Sequence, residues 1–313
     1  MRLTEKAEGV YAIAATPFEP DGRLDTRSID TMVDFYRTAG VDGLTILGIM
    51  GEAPKLDADE SVAVVKQIVK RAGDMQIIVG VSAPGFAAMR ALARTSMDIG
   101  AAAVMIAPTP ALRTDDQIVA YFGQAVEAVG DDIPWVLQDY PLTLTVVMTP
   151  KVIRQIVVNH KSCVMLKHED WPGLEKISML RGFQADGSMR PISILTGNGA
   201  LFLDFEMERG ADGAMTGYCF PEMLVDVVRL QKAGERDKAH DLFDAHLPLV
   251  RYEQQQGVGL AVRKYVLQKR GAIAHDSQRK PGSAITPKAK AEIDYLLARL
   301  AKFDPRAGFS LPI

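Results

Sequence analysis

Apolar residues are spaced along this chain in two alternating rhythms. Short, nearly unbroken runs rich in valine and isoleucine occupy Val10–Ala15, Gly43–Leu47, Gln76–Val81, Ala102–Ala107, Pro134–Asp139, Cys163–Lys167, Ile192–Thr196 and Gly213–Thr216. Between them lie longer stretches whose apolar residues return every third or fourth position. Arg27–Ala39 carries Ile29, Met32, Val33 and Tyr36 in that spacing, Asp59–Arg71 carries Val62, Val65, Ile68 and Val69, and Asp115–Ala128 carries Ile118, Tyr121, Phe122 and Val126. The second rhythm lines up one face of an α-helix, and the first is that of strands covered on both faces. Strand–helix units repeated in this way predict an α/β fold, a parallel (β/α)8 TIM barrel. The competing arrangement, an open doubly wound sheet, requires a glycine-rich cradle after the first strand. Thr16-Pro17-Phe18-Glu19-Pro20-Asp21-Gly22 follows that strand here and is a turn without such a cradle.

Beyond Ala233 the strands stop. Glu235–Gln254, Gly257–Lys269 and Pro287–Ala301 read as helices, and the polar break Asp276–Ser283 contains Pro281-Gly282. The expected division is a barrel over residues 1–233 and a C-terminal helical extension over 234–313, packed on the barrel or engaged in contacts between subunits. Hydrophobic residues make up 48% of the 313, enough for a large core and too many for a disordered chain. Lys and Arg number 36 against 39 Asp and Glu, and a formal charge of -3 argues against a nucleic-acid or anionic-membrane binder. No apolar run approaches the roughly 18 residues of a membrane span. The N-terminus is charged where a secretory signal has its apolar segment. Cys163 and Cys219 make no disulfide framework. A cytoplasmic protein is the expectation.

Reactive groups in such a barrel sit at the C-terminal ends of strands. Lys167 directly follows the apolar run Cys163-Val164-Met165-Leu166, and an ammonium at an apolar mouth loses part of its preference for charge. A neutral amine there attacks a carbonyl to form a Schiff base, whereas the plainer alternative is a lysine that merely reaches solvent. Gly48-Ile49-Met50-Gly51-Glu52 follows the second strand, where two glycines let backbone N–H groups converge on a carboxylate or simply make a turn. In Gln138-Asp139-Tyr140-Pro141, strand alternation puts Gln138 and Tyr140 on one face and Asp139 on the other. Tyr140 is a candidate proton relay, or a ring closing the barrel top. Gly197-Asn198-Gly199 and Gly210–Gly217 flank the last two strands, where barrels often hold anions. Cys163, four residues before Lys167, is expected on the same side and as packing. His168-Glu169-Asp170 either tunes the lysine or forms a solvated loop. His160, His168, His240, His246 and His275 are scattered without metal-ligand spacing, so no metal is expected.

Together these pieces resemble the dihydrodipicolinate synthase / N-acetylneuraminate lyase family of Schiff-base lyases, over most of the chain. Thr16-Pro17-Phe18 with Asp21-Gly22 and Asp25 is similar to the family's opening, and Gly48–Glu52 to its G-T-T-G-E loop. Gly80-Val81, Gly100-Ala101-Ala102 and Gly210-Ala211-Asp212-Gly213 are similar to its third, fourth and eighth strand signatures. Lys167 falls at its imine-forming lysine. The resemblance implies a 2-oxo acid substrate, no cofactor because the iminium is the electron sink, and a homo-oligomer built as a dimer of dimers. This chain also departs from the family's synthases. Their two loop threonines are Ile49 and Met50 here, and the tyrosine of their Y-N-x-P motif is Gln138, an amide that transfers no proton. Their paired tyrosines after strand four are Thr109-Pro110, and the arginine after Y-N-x-P is absent from Leu142-Thr143-Leu144-Thr145. Gln138-Asp139-x-Pro141, Gly213–Gly217 with Phe220-Pro221, and Leu247-Pro248-Leu249 followed by Glu253 are instead similar to 2-keto-3-deoxy sugar acid dehydratases.

The resemblance thus implies a catalytic set of Lys167, Gln138 and Tyr140 and a substrate-binding set of Gly48, Ile49, Met50, Gly51, Thr109, Asp139, Gly197, Asn198 and Thr216. The proton donor stays open among Asp139, Tyr140, His168 and Glu169. The expected activity is dehydration or aldol cleavage of a 2-keto-3-deoxy sugar acid. The alternatives are 4-hydroxy-tetrahydrodipicolinate synthase and a non-catalytic barrel that binds a 2-oxo acid; a metal-dependent aldolase would need clustered ligands.

Overall fold

Eight parallel strands close into a barrel in the computed structural model, which describes residues 1–171 and 173–309. They are β1 Gly9–Ile13, β2 Gly43–Ile46, β3 Gln76–Gly80, β4 Ala103–Ile106, β5 Trp135–Asp139, β6 Cys163–His168, β7 Ser193–Thr196 and β8 Gly213–Ala214. Each lies within, or one residue beyond, a run picked out by its apolar pattern. β8 pairs with both β7 and β1, which closes the cylinder. Its ladder continues past Ala214, because Met215 N–H donates to Thr196 O at 2.7 Å and Ile13 N–H to Thr216 O at 2.9 Å.

The helices are α1 Thr26–Thr38, α2 Ala58–Ala72, α3 Phe86–Ile99, α4 Asp115–Val129, α5 Pro141–Leu144, α6 Pro150–Asn159, α7 Leu174–Ala185, α8 Leu203–Glu208, α9 Pro221–Lys232, α10 Arg236–Glu253, α11 Gly259–Lys269 and α12 Pro287–Leu300. Their starts are written in the sequence. Asp25 caps α1, Asp57 with Glu60 and Thr114 with Gln117 form reciprocal capping boxes on α2 and α4, and Thr149 and Thr286 cap α6 and α12 just before a proline.

Strand alternation separates two cores. Val10, Ala12, Leu44, Ile46, Ile77, Val79, Val104, Leu137 and Ile194 face the helices. Tyr11, Ile13, Ile78, Met105, Val136, Met165, Leu195 and Met215 fill the barrel interior. One expectation fails here. The register of β5 on β6 slips between Trp135, opposite Cys163, and Val136, opposite Met165. The extra residue in β6 reverses the alternation. Cys163 therefore packs in the outer core, while Met165 and Lys167 point inward. Cys163 and Lys167 do not share a side.

The helices after Ala233 pack on the barrel. α10 lies against α9 and α8, and α11 reaches across the C-terminal ends of β1 and β8, where Lys264 donates to Thr16 O at 2.8 Å and Arg263 to Gly217 O at 2.7 Å.

Candidate active site

Three inward side chains from neighbouring strand ends meet at the barrel mouth. Lys167 ends the apolar stretch of β6 and is 5% exposed, and Glu169, just past the strand, is 6% exposed. Lys167 Nζ lies 2.9 Å from Glu169 Oε2. Gln138 Nε2 donates to that same oxygen at 2.8 Å, and the Asn198 N–H donates to Glu169 Oε1 at 3.4 Å. The carboxylate is thus fixed from two sides beside the amine. Gly197 makes this possible: a Cβ there would lie 2.4 Å from Glu169 Cγ.

These residues border an inner cavity of about 50 Å³, also lined by Gly48, Ile49, Met50, Tyr140, Asn198 and Thr216. It opens past Gly48, Ile49, Met105 and Gln138 into a chamber of about 290 Å³ walled partly by Thr109, Tyr121 and four prolines, Pro54, Pro84, Pro108 and Pro110. The inner part suits a charged head group, and the outer part a longer tail. Burial raises the Tyr140 phenol above its usual range; the Glu169 carboxylate pushes the same way and Arg263 opposes. The Tyr140 phenol therefore keeps its proton near neutrality.

Of the implied site residues, Lys167, Gln138, Tyr140, Gly48, Ile49, Met50, Asn198 and Thr216 converge on the inner cavity, and Thr109 on the outer one. Gly51 instead braces the loop from behind, where its carbonyl accepts from Thr16 Oγ1 at 2.5 Å. Gly197 contributes space for Glu169. Asp139 is a correction. Alternation turns it to the helix side, where its Oδ2 accepts from Lys176 Nζ at 2.9 Å and lies 3.6 Å from His168 Nδ1. Lys176 also binds Asp170 Oδ2 at 2.6 Å. His168, Glu169 and Asp170 thus divide between two faces, and only Glu169 enters the cavity.

Three further residues shape the mouth and were not in the expected set. Gln254, just past α10, and Arg263 of α11 line the inner cavity. Arg263 Nε donates to Glu253 Oε1 at 2.6 Å. Next along α11, Lys264 Nζ donates to Glu52 Oε1 at 2.5 Å, to Thr16 O and to Ser277 O, which ties the helix to the end of the Gly48–Glu52 loop. The available signal was an adjacent Arg-Lys pair in a helix buried almost all round. Among the described residues, one group of metal-ligand type, Glu19, Asp25 and His275, brings ligand atoms within 4.8 Å of each other. Asp25 is engaged there in capping α1 through Ser28.

The sequence model of the dihydrodipicolinate synthetase family matches residues 6–300, and the chain belongs to that family, whose members are Schiff-base class I lyases. An L-2-keto-3-deoxyarabonate dehydratase of Azospirillum brasilense is 29% identical over 96% of this chain and 96% of its own length. A 4-hydroxy-tetrahydrodipicolinate synthase of Methylococcus capsulatus is 26% identical over 77% of this chain and 85% of its own. Among solved structures, one described as dihydrodipicolinate synthase from Rhodopseudomonas palustris is 71% identical, covers 96% of this chain and 99% of its own, and superposes with a TM-score of 0.95.

Proposed function

We propose that this member of the family uses Lys167 to form an imine with the C2 carbonyl of a 2-keto-3-deoxy sugar acid and then removes the C4 hydroxyl as water. The observation that carries this reading is the buried Lys167–Glu169 pair, with Gln138 holding the carboxylate in place. Glu169 takes the proton that the Lys167 ammonium must shed before it attacks. Glu169 returns that proton to the C2 oxygen, which leaves as water, and the resulting iminium acidifies C3. Glu169 removes a C3 proton to leave an enamine. The enamine expels the C4 hydroxyl, which leaves as water with the proton that Glu169 took or one from Tyr140. Hydrolysis of the resulting unsaturated iminium frees Lys167. In this scheme Gln138 orients Glu169 and carries no proton, and the backbone of the Gly48–Gly51 loop faces the substrate carboxylate. Aldol cleavage of the C3–C4 bond from the same iminium is the related outcome when C4 keeps its hydroxyl.

The likeness to the Azospirillum dehydratase supports this substrate class, as do Gln138, Ile49 and Met50 in place of proton-relaying side chains. The name borne by the Rhodopseudomonas relative favours a second reading, condensation of pyruvate with aspartate semialdehyde. A direct comparison separates the two. Incubation with L-2-keto-3-deoxyarabonate is expected to yield a product one water lighter, while pyruvate with aspartate semialdehyde is expected to stay unchanged. The opposite pattern installs the synthase. Borohydride in the presence of pyruvate is expected to fix an adduct on Lys167; a folded protein that forms none with any 2-oxo acid is a binding barrel. We further read the protein as a cytoplasmic homo-oligomer, to be checked by light scattering of the purified chain and by cell fractionation. The described residues contain no helix long and apolar enough to cross a membrane.

A further inference from the structure

We infer that Arg263 binds the carboxylate of the 2-oxo acid, in place of the two hydroxyl donors that the Gly48–Glu52 loop lacks. The inference rests on the 2-oxo acid reading above and names a partner for its head group. Arg263 is 2% exposed and lines the inner cavity. Its charge is balanced by Glu253, which is itself buried and holds the Cys219 N–H with its other oxygen at 3.1 Å. Nε donates to Glu253 and Nη2 to Gly217 O, so the planar guanidinium is held in one orientation. Nη1 is buried and has no partner. A buried cationic donor left unmade is unfavourable, and an arginine clamped by its other nitrogens is preorganised to donate to an incoming carboxylate.

The surrounding chain makes room for that nitrogen. A Cβ on Gly217 would stand 1.8 Å from Nη1, so any side chain there would displace it. Lys264 beside it holds Glu52 at the end of the β2 loop, which couples the position of Arg263 to that of the loop. Ile49 and Met50 bring no side-chain donor to the loop, yet among the described residues no oxygen accepts from their backbone N–H groups. Two backbone N–H groups without a protein acceptor, at Ile49 and Met50, and one unpartnered guanidinium nitrogen thus belong to residues that border one cavity of head-group size together with Lys167. A carboxylate beside the C2 carbonyl that Lys167 attacks matches this set.

The test is pyruvate binding by titration calorimetry in the full chain carrying Lys167→Met, where no imine forms. Pyruvamide serves as the neutral isostere. Adding Arg263→Gln is expected to weaken pyruvate binding by about 10- to 100-fold and pyruvamide binding by less than about 3-fold. Arg263→Gln leaves Glu253 buried without its partner, so it is paired with Glu253→Gln. Gly217→Ala is the second variant, because it displaces Nη1 while keeping the ion pair; the same loss is expected. The inference is overturned if pyruvate and pyruvamide weaken in parallel, or if neither changes. It is also overturned if only longer 2-keto-3-deoxy acids respond, which would put Arg263 at the far end of the substrate. Borohydride trapping on the wild-type chain distinguishes the two levels. No adduct together with Arg263-dependent pyruvate binding refutes the lyase reading alone, and an adduct without Arg263 dependence refutes this inference alone.

Discussion

Replacing Lys264 with methionine tests whether the far end of the chain holds the Gly48–Glu52 loop. Lys264 is 0% exposed, and its three protons go to Glu52 Oε1, Thr16 O and Ser277 O. Removing one partner of a buried ion pair costs roughly 3–5 kcal/mol, because the other charge stays buried. Glu52 keeps two donors here, Lys55 Nζ at 2.8 Å and Arg279 N–H at 3.1 Å, which places the loss toward the lower end. A cost of about 3 kcal/mol, set against about 2 cal/mol/K of unfolding entropy per residue, lowers the melting temperature by about 5 °C. The function should change with it. The Gly48–Glu52 loop loses its tie to α11, so the pyruvate concentration that gives half-maximal borohydride adduct is expected to rise, while the adduct stays on Lys167. Melting followed by circular dichroism and adduct mass spectrometry read the two effects separately. A fall in melting temperature under about 1 °C would refute the energetic reasoning. A full fall with unchanged half-saturation would refute the link from α11 to the loop.

Three other measurements bear on the site and its surroundings. Glu169→Gln keeps the shape but not the base, so kcat is expected to drop by about 10²- to 10⁴-fold and the borohydride adduct of pyruvate to form more slowly on Lys167; an unchanged kcat removes Glu169 from proton transfer. Burial raises the Glu206 carboxyl from 4.5 to about 7, with His168 and the Thr196 hydroxyl opposing. Its folded state therefore holds a proton that the unfolded state has released between those pH values, and stability should fall as pH rises through that window. Glu206→Gln is expected to flatten this fall and to add up to about 3 kcal/mol above pH 7, measured by urea melts at several pH values; equal slopes in both proteins would refute it. Burial pushes the Cys163 thiol up to about 12, so iodoacetamide at pH 8 should label it only after unfolding; rapid labelling of native protein would show that the outer core opens there.

Part of the site was legible because it obeys local rules. Lys167 stands out as a cation closing an apolar strand, and alternation along β5 correctly separates Gln138 from Asp139. The same alternation fails on β6, where one inserted residue turns Cys163 outward; the insertion is visible only in the pairing with β5. The sequence also leaves His168, Glu169 and Asp170 as one polar cluster, because it does not say where β6 ends or which carboxylate Lys176 of α7 takes.

Periodicity and turn chemistry are short-range, so the sequence by itself determined the eight strands, the barrel and a lysine at the end of β6. Tertiary structure decided which groups surround that lysine. Arg263 and Lys264 lie on a helix far along the chain from Gly48–Glu52, and no local pattern relates the two segments. They meet because closing β8 onto β1 brings the last strand loop beside the first, and α11 lies across that seam. Long-range closure is a property of the whole packed cylinder, and the charges that converge at its mouth become neighbours only once it forms.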